Sequence, residues 1–306
     1  MRASSGVRSP AAPHERTDSA SASTSAAAST STSTSTSTSY DDLVERVLAA
    51  ELGPDPRTLC VAVAFTTSQA VRHEGRRGGY RNEVLSLRLG RAVGSCAVEP
   101  GALPGGAVDD CAGADVARLL EHPLAPVRVA ALDAYLMHVR PHTPENGALP
   151  LPLPAGTSLE KSRARARAVV ELLDVRPGQT VLVVGVVNSL LESLRSRGIR
   201  YIPCDLKGGT TEWGEQVVTD ALAELDGCDA VLASGMTLGN GSFEPLREHA
   251  LRHGKQLVMF AQTGSAVLPR FLGAGVSAVC AEPYPFFWLD GGPGVVHRYG
   301  STEATL

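Results

Sequence analysis

The chain has 306 residues, 43% of them hydrophobic, and a formal net charge of −4. That balance lacks the basic excess of a nucleic-acid-binding domain, and an aromatic content of 5% offers no stacking platform for single strands. No apolar run reaches the ~18–20 residues of a membrane span. The six cysteines are scattered and form no CxxC pair, so free thiols and a cytoplasmic, membrane-free protein are expected.

Residues 1–39 are Ser, Thr and Ala with scattered Pro, ending in STSTSTSTSTS. Such a segment has almost nothing apolar to bury and reads as a disordered tail. Arg2, Arg8 and Arg16 among the serines match a transit peptide in composition, but no amphipathic helix can be drawn through them.

Residues 40–140 read as a small α+β unit. Apolar positions 43, 44, 47 and 48 have helical spacing, stopped by Gly53-Pro54. Residues 59–65 (LCVAVAF) predict a strand closed by the polar turn TTSQ, 72–82 a Gly- and Arg-rich loop or hairpin, and 82–96 a weak strand pair. Residues 114–121 and 126–139 predict two helices, the second largely core. Residues 141–156 (PHTPENGALPLPLPAG) hold five prolines and two glycines and read as a semi-extended linker between two domains.

Thr157 and Glu160 form a capping box that opens a helix. The alternating charges Lys161, Arg163, Arg165 and Arg167 follow on it, read either as an anion site or, preferably, as a solvated face. Beyond it, residues 157–306 alternate strands (181–185, 199–203, 229–233, 256–261, 276–280) with helices (189–197, 214–225, 243–253, 267–273). That alternation predicts a Rossmann-like parallel sheet with right-handed crossovers, so the fold class is α/β preceded by a small α+β domain.

In such a sheet, ligands bind at the carboxyl ends of the strands, which sorts the polar residues. The first loop contributes Asn188, while Ser189 is expected to cap its helix through Glu192. That loop, GVVNSLL, lacks GxGxxG, so NAD(P) is not expected and no other cofactor is indicated. Asp205 lies 20 residues after Gly185, where an acid can hold a ribose diol or simply start a turn.

The third loop, SGMTLGNGS, is nine residues long, against the usual ~2–6 for such connections. It offers Gly235, Thr237, Asn240 and Gly241, with backbone N–H groups suited to an anion, although Asn240 or Ser242 can serve equally as a cap. The fourth loop adds Thr263 and Ser265, and Glu282 follows strand five. His249 and His253 have metal-like i, i+4 spacing but stand at the far end of a helix that returns from the ligand edge. No nucleophile–base pair is legible, so catalytic residues and metal ligands stay unassigned.

Three segments resemble the putative heavy-metal-chelation proteins, which join an enolase N-terminal-like domain to a Rossmann-like domain. They are ASGMTLGNGSFEPL, TGSAVLPRFLGAGV and LLEHPLAPVRVAALDAYL, and with CVAVAF the resemblance spans roughly residues 42–283. It implies a site for a small molecule or metal complex between the two domains, in metal homeostasis or in making a metal-binding metabolite. An S-adenosylmethionine- or nucleoside-binding transferase-like enzyme and a non-catalytic scaffold are the alternatives. A homo-oligomer is left open.

Overall fold

The computed structural model describes residues 37–300 apart from 75 and 77. Helix α1 (Tyr40–Leu48) opens it, with Ser39 Oγ accepting from Asp42 N as its cap. The tail expected over 1–39 therefore ends before Ser39: Ser37 is buried, its amide donates to Arg270 O, and Ser39 belongs to the first helix. Residues 1–36 lie outside the described residues.

Strands β1 (Val63–Val71), β2 (Tyr80–Leu89) and β3 (Ala92–Val98) form a three-stranded antiparallel meander. The predicted turn TTSQ lies inside β1, which pairs with β2 from Val63↔Arg88 to Val71↔Tyr80. An edge strand with one open face tolerates these polar residues, so polarity there marked a face and not a turn. Short helices α2 (Ala107–Cys111) and α3 (Val116–Leu120) lead into α4 (Ala125–Val139), which lies across β2 and β3. The helix approaches so closely that a Cβ on Gly94 would stand 1.9 Å from the Ala134 amide nitrogen, a contact only glycine allows.

Strand β4 (Leu149–Leu153) falls in the proline-rich stretch read as a linker. It pairs antiparallel with the last strand, β10 (Gly294–Gly300), at the margin of a seven-stranded sheet ordered β4-β10-β9-β8-β7-β5-β6. Pro150 and Pro152 are two residues apart, so both missing N–H groups fall on one side of the strand, which an edge leaves unpaired.

Helix α5 (Ser158–Val170) carries the expected capping box at Thr157 and Glu160. Parallel strands β5 (Thr180–Val184), β6 (Arg200–Cys204), β7 (Ala230–Ser234), β8 (Gln256–Ala261) and β9 (Ala278–Ala281) follow. They are connected through α6 (Asn188–Ser196), α7 (Ala221–Glu224), α8 (Met236–Asn240), α9 (Phe243–His253) and a 3-10 turn at Leu268–Phe271. The helix expected over 214–225 shrinks to α7, because residues 205–220 fold back on β6: the amides of Asp205 and Val218 exchange bonds with Val218 O and Pro203 O. Asp220 Oδ1 then caps Leu222 and Ala223.

The apolar runs of the parallel strands are buried on both faces, and successive residues feed opposite cores. Val181, Val183, Leu232, Val258 and Phe260 pack with α5 and α6. Leu182, Val231, Ala233, Leu257 and Met259 join the core that continues through α9 to α4 and the meander. The described residues 37–300 thus fall in one compact unit in which the antiparallel layer and one face of the large sheet share a core.

The charges of α5 correct the solvated-face reading. At about 100° per residue, alternation by two makes two stripes, with 161 and 165 about 40° apart and 163 and 167 nearly opposite. Lys161 and Arg165 are buried, at 1% and 6% exposure, whereas Arg163 and Arg167 are exposed. Lys161 Nζ donates to Asp290 O at 3.1 Å and Gly292 O at 2.5 Å. No described helix is long and apolar enough to cross a membrane.

Candidate functional site

Chain order reverses at β5, which lies between β6 and β7 in the sheet. Ligands of open parallel sheets occupy the crevice outside such a switch point. A cleft of about 1710 Å³ opens there, roofed by the β1–β2 loop and the end of β3. Gly185 turns the chain out of β5 at φ 94°. Its backbone passes beside Ser234 at the end of β7 and the Phe260 ring of β8.

Of the sequence-derived site residues, Asn188, Asp205, Thr237, Asn240 and Thr263 line this cleft. Asn188 begins α6, and its Oδ1 is buried without a hydrogen-bond partner. Asp205, at the end of β6, accepts from the Val186 amide at 3.2 Å and the Lys207 amide at 3.1 Å. Thr237 is buried and donates to Ser234 O at 2.8 Å, while Thr263 Oγ1 accepts from the Ala97 amide at 2.8 Å. That bond ties the fourth loop to β3.

Gly235, Gly241 and Ser265 stand outside the lining. A Cβ on Gly235 would meet Thr263 O at 2.2 Å, so this glycine admits the neighbouring loop. Gly241 ends α8 at φ 80°. Ser265 is fully buried against His142 Nε2 at 3.4 Å. The third loop is not an open cradle of amides, since residues 236–240 coil into α8. Asn240 Oδ1 accepts from Ser242 N at 3.0 Å and Ser242 Oγ at 2.6 Å, the local turn role. Ser189 likewise makes no cap: its hydroxyl pairs with Ser162 at 2.8 Å and so joins α6 to α5.

The most elaborate polar group at the cleft joins two residues that the sequence named separately, Glu282 after strand five and Arg165 among the charges of α5, without pairing them. Arg165 Nε donates to Glu282 Oε2 at 2.5 Å, and both side chains are almost wholly buried. Glu282 also accepts from Gln262 Nε2 at 2.9 Å and from the Phe287 amide at 2.8 Å. The Arg165 guanidinium carbon lies 5.5 Å from the Phe260 ring centre and 5.8 Å from that of Phe287, within cation–π range. The signal was the i, i+4 spacing of Lys161 and Arg165 among alanines; Glu282 needs β9 to bring it 117 positions along the chain to Arg165.

Charges from the roof close on the sheet side. Arg76 binds Glu192 of α6 at 2.8 Å and also Glu212, and Lys207 pairs with Glu99 at 2.5 Å. Burial pushes the Cys204 thiol up to about 11, so it is a neutral thiol rather than a nucleophile at neutral pH. Among the described residues, no three His, Cys, Asp or Glu side chains stand together as a metal site. The cleft therefore does not fit a bare metal ion held by protein ligands alone.

Residues 168–281 match the model of the DUF364 family, which is described as putative heavy-metal chelation. The DUF364 stretch runs from the end of α5 to the end of β9, and Arg165 and Glu282 flank it closely. The chain shares its fold with a DUF364 protein of unknown function from Desulfitobacterium hafniense. Identity is 14% over 79% of this chain and 87% of that one, with a TM-score of 0.53. A second DUF364 structure, from Pyrococcus horikoshii, also of unknown function, is 14% identical over 78% of this chain and 86% of that one, with a TM-score of 0.47. No curated protein matches the sequence.

Proposed function

We propose that this protein binds a small organic molecule in the cleft at the β5–β7 switch point and acts on or carries a metal-binding metabolite. The observation that carries this reading is the cleft itself. It lies where parallel sheets take ligands, with Phe260, Phe287 and Trp288 beside polar residues that include Asn188, Asp205 and Gln262. The family description supplies the link to metals, and the absence of a clustered donor set among the described residues favours a metal that arrives within a complex. A nucleoside-bearing ligand such as S-adenosylmethionine is the second reading, favoured by the place of Asp205 at the end of β6 beside the Gly185 loop.

Native mass spectrometry of gently purified protein tests both. The expected result is a retained small-molecule adduct that denaturation releases and that Met236→Trp, which adds bulk to the cleft lining, reduces. The mass of the adduct separates a nucleoside from a metallophore-like acid. An adduct retained undiminished by Met236→Trp would remove the cleft from the reading.

A further inference from the structure

We propose that Arg165 and the first turn of α6 form a subsite for a carboxylate group of the cleft ligand. This assignment rests on the cleft reading above. The Arg165 side chain is fixed on three sides: Nε is held by Glu282, and Phe260 and Phe287 stand against the guanidinium. Its two terminal nitrogens have no hydrogen-bond partner among the described residues. Arg165 is 6% exposed and lines the cleft, so that is the direction left to them. A guanidinium at this depth with most of its donors unmet carries a desolvation cost that a bound acceptor would offset.

Two features choose the acceptor. The terminal nitrogens of an arginine form a planar fork that matches two oxygens of one carboxylate or phosphate. Glu282 already compensates the charge of Arg165, so every negative charge brought to the fork is repelled by that carboxylate. A carboxylate monoanion meets this repulsion once and a phosphate dianion twice. Helix α6 has nine residues and begins in the same cleft at Asn188, tied to α5 by the Ser162–Ser189 hydroxyl pair. Its first-turn amides and partial positive charge favour one anionic group.

Benzoate and inorganic phosphate are the probes, titrated calorimetrically into the wild-type full chain, Arg165→Lys and Met236→Trp. Arg165→Lys keeps a cation beside Glu282 but loses the fork. The wild type should bind benzoate saturably and more tightly than phosphate. Arg165→Lys should weaken benzoate by about ten-fold or more, and Met236→Trp should weaken it as well. If Arg165→Lys does not fold, the doubly neutral variant Arg165→Met with Glu282→Gln replaces it, with the same loss expected. The subsite is overturned by benzoate affinity unchanged in the folded Arg165 variant, by tighter binding of phosphate, or by no saturable benzoate binding to the wild type. Benzoate binding that ignores Arg165 but is weakened by Met236→Trp overturns the subsite and leaves the cleft reading standing. Binding that neither variant alters removes both.

Discussion

Asp133 sits in the middle of α4 with both carboxylate oxygens engaged: Oδ2 by the Ser95 amide at 2.9 Å and Oδ1 by the Ala266 amide at 2.7 Å. It joins the meander to the fourth loop of the parallel sheet. Burial pushes its pKa up to about 7 against the pull of those amides. Nearby, His142 is stacked on His297 and bonded to the Tyr299 hydroxyl at 2.6 Å. Burial, and secondarily repulsion from His297, lowers its pKa from 6.5 to about 3. The folded state therefore binds fewer protons at this ring than the unfolded chain between those two values. Its contribution to stability is present above 6.5 and is lost as pH falls toward 3. Urea midpoints at pH 7 and pH 5 should fall further for the wild type than for His142→Gln, which cannot take up the proton. Parallel falls would show that His142 is not the titrating group.

At the scale of elements, α5 is the most instructive helix. Its capping box sets where it starts, and the period of its charges sets which of them are buried. Lys161→Ala should cost roughly 2 kcal/mol or more, because it leaves the carbonyls of Asp290 and Gly292 without their buried donor. Arg163→Ala, on the exposed stripe and paired with Glu192 at 2.8 Å, should cost under about 1 kcal/mol. Chemical denaturation of the two variants checks this contrast, and equal losses would refute the two-stripe account. The length of β1 and the shortness of α7 teach a related lesson. Each boundary was set by a partner strand or a loop folding back, not by the residues inside the segment.

For the whole molecule, the contacts between the meander and the parallel sheet matter most. One set is apolar and continuous, running from α4 to the inner face of β7 and β8. The other is ionic and lies at the cleft, where Arg76 reaches Glu192 and Glu212 and Lys207 reaches Glu99. The first should hold the layers together while the second tethers the β1–β2 loop to α6 and to residues 205–214, since partly exposed ion pairs contribute little to global stability. Hydrogen exchange on Arg76→Ala should show faster exchange in both the β1–β2 loop and residues 205–214, with the amides of β7 and β8 unchanged. Faster exchange in β7 and β8 as well would mean that Arg76 supports the whole fold.

The sequence by itself determined the five parallel strands and most of their helices. A strand buried on both faces must be a short, unbroken apolar run, and Val181–Val183 and Leu257–Ala261 announce that locally. It also determined the edge of the sheet where the cleft opens, because strand direction follows from chain order, and with it the approximate positions of Asn188, Asp205 and Thr237. Tertiary structure alone decided what joins the sheet and what the edge residues do. Pro150 and Pro152 look like linker until β10 arrives from far along the chain to pair with them. Asn240 and Ser265, promising by position, satisfy themselves locally or inside the core. Arg165 becomes part of the cleft only when β9 delivers Glu282 and β8 delivers Phe260. A local pattern can state a period or a preference for burial; which buried charges meet is fixed by contacts between residues distant in sequence, and those exist only once the chain has folded.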